Sequence, residues 1–491
     1  MLPPLIRRSP QSASHRRQER GVTLALVALA IFSIIAMAGL SIDVGTLYQA
    51  SAEAQRSADA AALAAAQAIS VSGITGAGTP ATDTASWQQI CGGASSIATQ
   101  TAVTVARQNT IAGTAPSSTN VTYSSSSGAV SSGNADCSTL GAAFGVNPVA
   151  TVKVTQASLP TYFSRIWGRT GSSVSATASA EAFNPSGSGT YVSGGEVVPV
   201  QPRCVKPLML PNLDPVHPSG CTGTSSCNSF VGTTDGSITN QGILGTGVIG
   251  ETFWVFPDCV HNTSTCNPLR DTPPQPNIPN RSKYYPPTGQ PNLEYLPGQA
   301  SFASTAIPSG PDACSDATGN YAQAIAGCDQ STQYQCGQVG QNVVDLSENP
   351  GLGDATNGGQ CLIHQGTTNN DTLAPLGQDM LQPFPTTPPT YPFQIQAGTS
   401  NPLTAVQGNL ITSSTSIVSL PIYDSKAVTT FVGGGTTNVT VIGFLQVFIN
   451  YVDDHGNLNV TVMNIAGCGN AASGTALTGS SPVPVRLITP P

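Results

Sequence analysis

Cysteine is the residue type here whose number and spacing most directly promise chemistry. Twelve are present: Cys91, Cys137, Cys204, Cys221, Cys227, Cys259, Cys266, Cys314, Cys328, Cys336, Cys361 and Cys468. A thiol can ligate a metal, cycle between redox states or close a disulfide. Metal and redox sites show themselves as C-x-x-C pairs with histidines close by. No C-x-x-C occurs, and His15, His217, His261, His364 and His455 stand singly. Oxidation to structural disulfides is what remains, and that requires an oxidising compartment. Two cysteines precede a Gly/Ser-rich stretch at 184–202 and ten follow it. Both counts are even, so each part can close its own bridges, with Cys91–Cys137 the pairing expected in the first. The connectivity of the other ten stays open.

Other chemical signatures are thinner. Gly245-Thr246-Gly247-Val248-Ile249-Gly250 matches G-x-G-x-x-G, and Asp271 follows about twenty residues on. A dinucleotide site needs a helix to open at those glycines, so that its N-terminus faces the pyrophosphate. ETFWVFPDC follows instead and reads as a strand, so a turn is expected. P-loop, H-E-x-x-H and G-x-S-x-G patterns are absent. Carboxylate and amide clusters at 345–357 and 453–457 have calcium-binding residue types without the spacing of a known loop, and solvated turns are expected there. No catalytic, cofactor or metal residue is assigned, and the chain reads as a non-enzyme.

The elements that hold these residues follow from composition. Only 9% of the 491 residues are charged, while Gly (51) and Pro (39) are abundant. Soluble domains usually carry about 25% charge, so a water-facing helical bundle is excluded. The polarity comes from Ser, Thr, Asn, Gln and Gly, which suits strands and turns. Net charge is −8. Residues 1–20 hold Arg7, Arg8, Arg16, Arg17 and Arg20 against Glu19, leaving 12 basic and 24 acidic residues in the remainder. A body that acidic repels phosphate backbones, so nucleic acid is not a partner.

Gly21 to Ile42 contains no charged residue. At ~1.5 Å per residue it spans ~33 Å, enough to cross a hydrocarbon core. The arginines on the near side orient it with the N-terminus in the cytoplasm and everything after Asp43 outside. Ala36-Met37-Ala38 is a signal-peptidase-like site, but the apolar run continues through Leu40 and Ile42, so a retained anchor is expected rather than cleavage after Ala38. Residues 43–70 are alanine-rich and lack proline, so the helix should run on to about Ser70. Leu47, Ala54, Ala61 and Ala68 share a face, and Glu53 sits three residues before Arg56. Ala58, Asp59, Ala61, Ala62, Leu63 and Ala65 form a small-residue surface that another element can approach closely.

The segment resembles the N-terminal part of the TadG-like proteins of Tad/Flp pilus-assembly systems. The matching features are Arg17 to Gly21, then Ile42-Asp43-Val44-Gly45 after the span, then the Ser57–Ala66 block SADAAALAAA. A second echo lies at 149–183, where VATVKV precedes LPTYFSRIWG and VSATASAEA. The resemblance implies a bacterial envelope protein that helps build or anchor an adhesive pilus. Its partners would be the lipid bilayer and the helices of the pilus or its assembly platform. Two family features are missing. Prepilins carry Glu five residues after the cleavage glycine, whereas Leu26 follows Gly21, so processing at Gly21 is not expected. The D-x-S-x-S metal signature of larger members is also absent; Asp345 to Asn349 departs at its last position.

The expected fold is α+β: a basic cytoplasmic segment (1–20), a transmembrane helix (21–42) and a pilin-like αβ module (43–183). A linker (184–202) and a mainly β, loop-rich, disulfide-stapled region outside the cytoplasm (203–491) complete it. Residues 97–109 read as a helix, and 151–155 and 173–180 as strands. Residues 439–452 and 458–467 read as strands flanking a DDHGN hairpin turn. The stretch 271–297 holds eight prolines and is expected to be neither helix nor central strand. The function expected is a non-enzymatic, single-pass inner-membrane protein for pilus assembly or anchoring and surface attachment. The alternative is a secreted or surface-anchored enzyme or ligand-binding module with an unrelated activity in 203–491.

Overall fold

The structure is a computed structural model. It describes residues 15–73, 75–76, 84–125, 134–168, 171–186, 197–217, 228–240, 242, 247–257, 291–302, 307–345, 347–348, 351–366, 373–382, 392–427, 435–470, 472–473 and 475–489. The chain divides into two compact units. One comprises Met1–Ala58, Ala106–Thr119 and Lys153–Thr177, the other Asp59–Val105, Asn120–Val152 and Ala178–Pro491.

Helix α1 (His15–Val71) is a single unbroken element. Its first half is apolar and its second half is mostly alanine. The backbone hydrogen bonds close within the helix, and alanine, the best helix former, carries it onward. In the first unit, Ser57 Oγ donates to the Ala106 carbonyl (3.2 Å), and Glu53 Oε2 accepts from the Ala112 N–H (2.7 Å). Glu53 also accepts from the Gln49 amide at 3.1 Å, while Arg56 contributes through its charge. The carboxylate spaced three residues from Arg56 is thus used mainly to hold the 106–112 backbone. Gln156 Oε1 accepts from the Ser117 N–H at 3.0 Å, which fixes the entry to strand β1 (Ser118–Ser125) beside β2 (Pro148–Leu159).

In the second unit, helices α2 (Thr84–Cys91) and α3 (Ile97–Gln108) precede the distal parts of β1, β2 and β3 (Ser172–Ala182). Alternating burial along β2, with Val152 and Val154 inside, follows the period-2 pattern. The main body is a closed six-stranded barrel. Its strands are β4 (Leu208–Pro211), β5 (Thr252–Pro257), β6 (Asn292–Pro297), β7 (Ile417–Tyr423), β8 (Val441–Val452) and β9 (Leu458–Gly467). The order around it is β7-β8-β9-β5-β6-β4. The neighbours are antiparallel except β5–β6 and β4–β7. Residues two apart on each strand, such as Leu208 and Leu210, Phe253 and Val255, or Leu445 and Val447, share one core. The opposite face of β8 and β9 is buried as well; β8 accordingly reads as a nearly continuous apolar run, while β9 places Asn459, Thr461 and Asn464 among its apolar residues.

Three features depart from the expected organisation. Residues 292–297, the end of the proline-rich stretch, form a central barrel strand. Pro297 is the last residue of that strand and seven of the eight prolines precede it; proline interrupts a ladder only where its missing N–H is needed. Second, strand β10 (Val485–Ile488) pairs antiparallel with β3, from Val485↔Ala182 to Ile488↔Ser179. The sheet order is therefore β1-β2-β3-β10, completed from the far end of the chain. Third, the described ends of 184–202 are not a free tether. Asn184 and Ser186 are buried, and Val200–Pro202 pairs parallel with Leu477–Gly479.

A buried polar knot fastens the C-terminal end of α1. Asn464 Nδ2 donates to the Ser70 carbonyl (2.6 Å) and to Thr75 Oγ1 (3.0 Å). Asn184 Nδ2 donates to Thr75 Oγ1 (3.0 Å) and to the Ile465 carbonyl (2.7 Å). Ser70 Oγ donates to the Val483 carbonyl at 3.0 Å. The last carbonyls of a helix have no partner inside it, so Asn464 supplies a donor where the helix cannot.

Candidate functional site

The first functional surface is the helix itself. Twelve large apolar side chains between Val22 and Ile42 are exposed, Leu24 to 74% and Met37 to 72%. Burying one such side chain is worth about 1.5–3 kcal/mol, so leaving the whole set in water would cost tens of kcal/mol. The helix is long and apolar enough to cross a membrane. Arg16, Arg17 and Arg20 fall within α1 at its basic end; Arg7 and Arg8 lie outside the described residues.

One turn of helix at the end of that stretch is built as a latch. Asp43 Oδ1 accepts from the Tyr162 N–H (3.0 Å), and Oδ2 accepts from the N–H groups of Phe163 (3.1 Å) and Ser164 (2.7 Å). Those amides open the short helical turn Ser164–Trp167, where N–H groups lack partners and favour a negative charge. Burial raises the Asp43 carboxyl, but the backbone donors outweigh it and hold the group below the ordinary value of 3.8. Gly39, four residues earlier on the same face, lets Phe163 in. A Cβ at that position would lie 2.6–2.9 Å from the Phe163 side chain. Tyr48 and Tyr162 are exposed to 75% and 59%, and tyrosine is the residue type that sits where apolar and aqueous phases meet. Asp43 and Phe163 belong to the two segments singled out in the sequence. Their junction was not legible, because 120 positions separate them.

The small-residue surface is occupied by the chain's own fold. Ala58, Ala61, Ala62 and Ala65 have no accessible surface, while Asp59 and Leu63 are half-buried. Alanine spacing does not say which element approaches.

Eight cysteines form Cys91–Cys137, Cys204–Cys328, Cys314–Cys361 and Cys336–Cys468. Cys221, Cys227, Cys259 and Cys266 lie outside the described residues. The first bridge is the pair that cysteine parity points to. The others join positions 124, 47 and 132 residues apart.

The glycine-rich match at 245–250 has no helix after it. Gly250 turns with φ +89°, and strand β5 begins at Thr252. Of the calcium-like clusters, Asp453 uses its Oδ1 on the N–H groups of His455 (2.9 Å) and Asn457 (2.8 Å), closing the hairpin turn. Asp345 likewise accepts from the Ser347 N–H at 3.0 Å. Asp453, Asp454 and His455 converge at the hairpin turn, and the fold also gathers a set that sequence reading passed over. Asp214, His217 and Glu251 place one ligand atom each within 4.8 Å of one another. Spacing of Asp and His at i, i+3 was the available signal; Glu251 has none.

Residues 21–68 match the sequence model of the Flp pilus-assembly TadE/G-like family. The match covers the apolar stretch, Asp43 and the alanine block, and it supports a pilus-related role in the cell envelope. No curated protein matches the chain, and no solved structure matches it.

Proposed function

We propose that this chain is a non-enzymatic, single-pass protein of the bacterial inner membrane that serves in the assembly or anchoring of a Tad/Flp-type pilus. The observation that carries the reading is the exposed apolar face of Val22–Ile42 inside the family-matched segment. The arginines keep the N-terminus in the cytoplasm, and the part after Asp43 lies in the periplasm or beyond. The four disulfides among its described residues accord with an oxidising compartment. Helices of the pilus or its assembly platform meet the span within the bilayer, because the Ala58–Ala65 face is already covered. The Asp43 latch sets the position of the 162–164 turn against the helix where it leaves the lipid.

Membrane flotation with N-terminal sequencing of the full chain tests this. The protein is expected to float with lipid and keep its residues before Gly39, and alkaline phosphatase fused at the C-terminus is expected to be active. Recovery from the medium with Gly39 as first residue would overturn the anchor. Unchanged pili in a strain lacking the chain would overturn the assembly role.

A further inference from the structure

The geometry points to a divalent metal site of the zinc class in the second unit, built by Asp214, His217 and Glu251. Nothing in the pilus-related reading requires it. Its ligands come from the loop leaving β4 and from the residue just before β5. His217 Nδ1 lies 2.6 Å from Glu251 Oε1 and 3.3 Å from Asp214 Oδ2. Neither His217 contact has hydrogen-bond geometry, and Nδ1 is buried; Glu251 and Asp214 face each other closely enough to interact directly. Donors bound tetrahedrally to one Zn²⁺ at about 2.1 Å stand about 3.4 Å apart. The three groups therefore converge as ligands do, with only a small spread needed to seat an ion.

The surroundings are buried, and His217 is the ionisable partner that faces both carboxylates. The Glu251 side chain is 3% exposed and that of Asp214 is fully buried. Among the described residues no lysine or arginine pairs with either carboxylate. Two buried carboxylates without a cation are costly to hold ionised. Asp214 Oδ1 is aimed by the N–H groups of Val216 (3.0 Å) and His217 (3.1 Å), and Oδ2 receives Asn240 Nδ2 at 3.1 Å. Such outer partners orient metal ligands. Glu251 is pinned through its backbone: Val462 N–H donates to its carbonyl (2.9 Å), and Gly250 N–H donates to the Val462 carbonyl (2.8 Å). One imidazole with two carboxylates suits Zn²⁺ better than Ca²⁺ or Mg²⁺, which prefer oxygen alone. The His217 ring is one-third exposed, while its Nδ1 is turned inward and buried with the carboxylates. The ion ties the exit of β4 to the entry of β5.

The test uses the full chain in detergent with its disulfides intact, stripped with chelator and dialysed against Zn²⁺. One zinc per chain is expected, with X-ray absorption showing imidazole and oxygen ligation and no sulfur. Zinc affinity should fall at least tenfold in both His217→Gln and Glu251→Gln, and stay unchanged in His455→Gln, which alters the other Asp/His cluster. His217 is partly exposed, so its variant is expected to fold; an unchanged circular dichroism spectrum checks this. Failure of the wild-type protein to bind Zn²⁺ would overturn the proposal and leave a proton-sharing carboxyl pair in its place. Sulfur ligation, or unchanged affinity in both variants, would overturn it too.

Discussion

Lys206 offers a quantitative test of how dry the barrel wall is. Its side chain is buried beside the Cys204–Cys328 bridge, and its ammonium donates to the Gly327 carbonyl. Burial pushes the amine down from 10.5 to about 7, with the Asp329 charge opposing the shift. The unfolded chain then holds a proton on this amine between pH 7 and 10.5 that the folded chain does not hold. Stability must therefore rise with pH across that window and be lost as pH falls back through 7. At about 1.4 kcal/mol per pH unit, the full penalty below pH 7 is roughly 5 kcal/mol. Replacing the residue by methionine removes the penalty but strips the Gly327 carbonyl of its donor, which costs about 1–3 kcal/mol. Lys206→Met should thus be more stable than the parent by about 2 kcal/mol at pH 7, and that advantage should shrink by about 2 kcal/mol at pH 9. Urea titrations of both proteins, followed by tryptophan fluorescence with the disulfides intact, give the difference directly. Other titrating groups cancel in the comparison. A difference that does not change between pH 7 and pH 9 would refute the argument, since it would mean the amine titrates alike in the folded and unfolded chains.

Three further outcomes follow from named contacts. Asp43→Asn should loosen the 162–164 turn, seen as faster amide exchange there and faster tryptic cleavage after the exposed Arg165; slow exchange in the variant would contradict the latch. Because the Asp43 carboxyl is held below 3.8, the parent should keep that protection at neutral pH and lose it only as pH falls below that value. Gly39→Val should produce the same loosening by clashing with Phe163, and Phe163→Ala in the same chain should restore protection; absence of rescue would show that the close approach is not what matters. Asn464→Leu leaves the Ser70 carbonyl without its side-chain donor and takes one of two amide donors from Thr75, which keeps Asn184, so it should destabilise by about 1–3 kcal/mol in urea titration.

What the residues declare locally, the structure repeats nearly position for position. The uncharged run and the alanine block become one helix ending at Val71, and the two apolar runs around DDHGN become β8 and β9. Hydropathy, helix propensity and turn chemistry act over a few neighbouring residues, so a linear reading captures them. Only the tertiary structure decides what meets across long separations. It places Asn292–Pro297 in the middle of the barrel, lays Val485–Ile488 against β3, and sets the partners of Cys204, Cys314 and Cys336. It delivers the 162–164 amides to Asp43, covers the alanine face, and carries Glu251 to Asp214 and His217. The physical reason is that these contacts depend on where barrel closure and sheet order bring distant backbone together. That energy is shared among many side chains, and no single stretch of sequence records it.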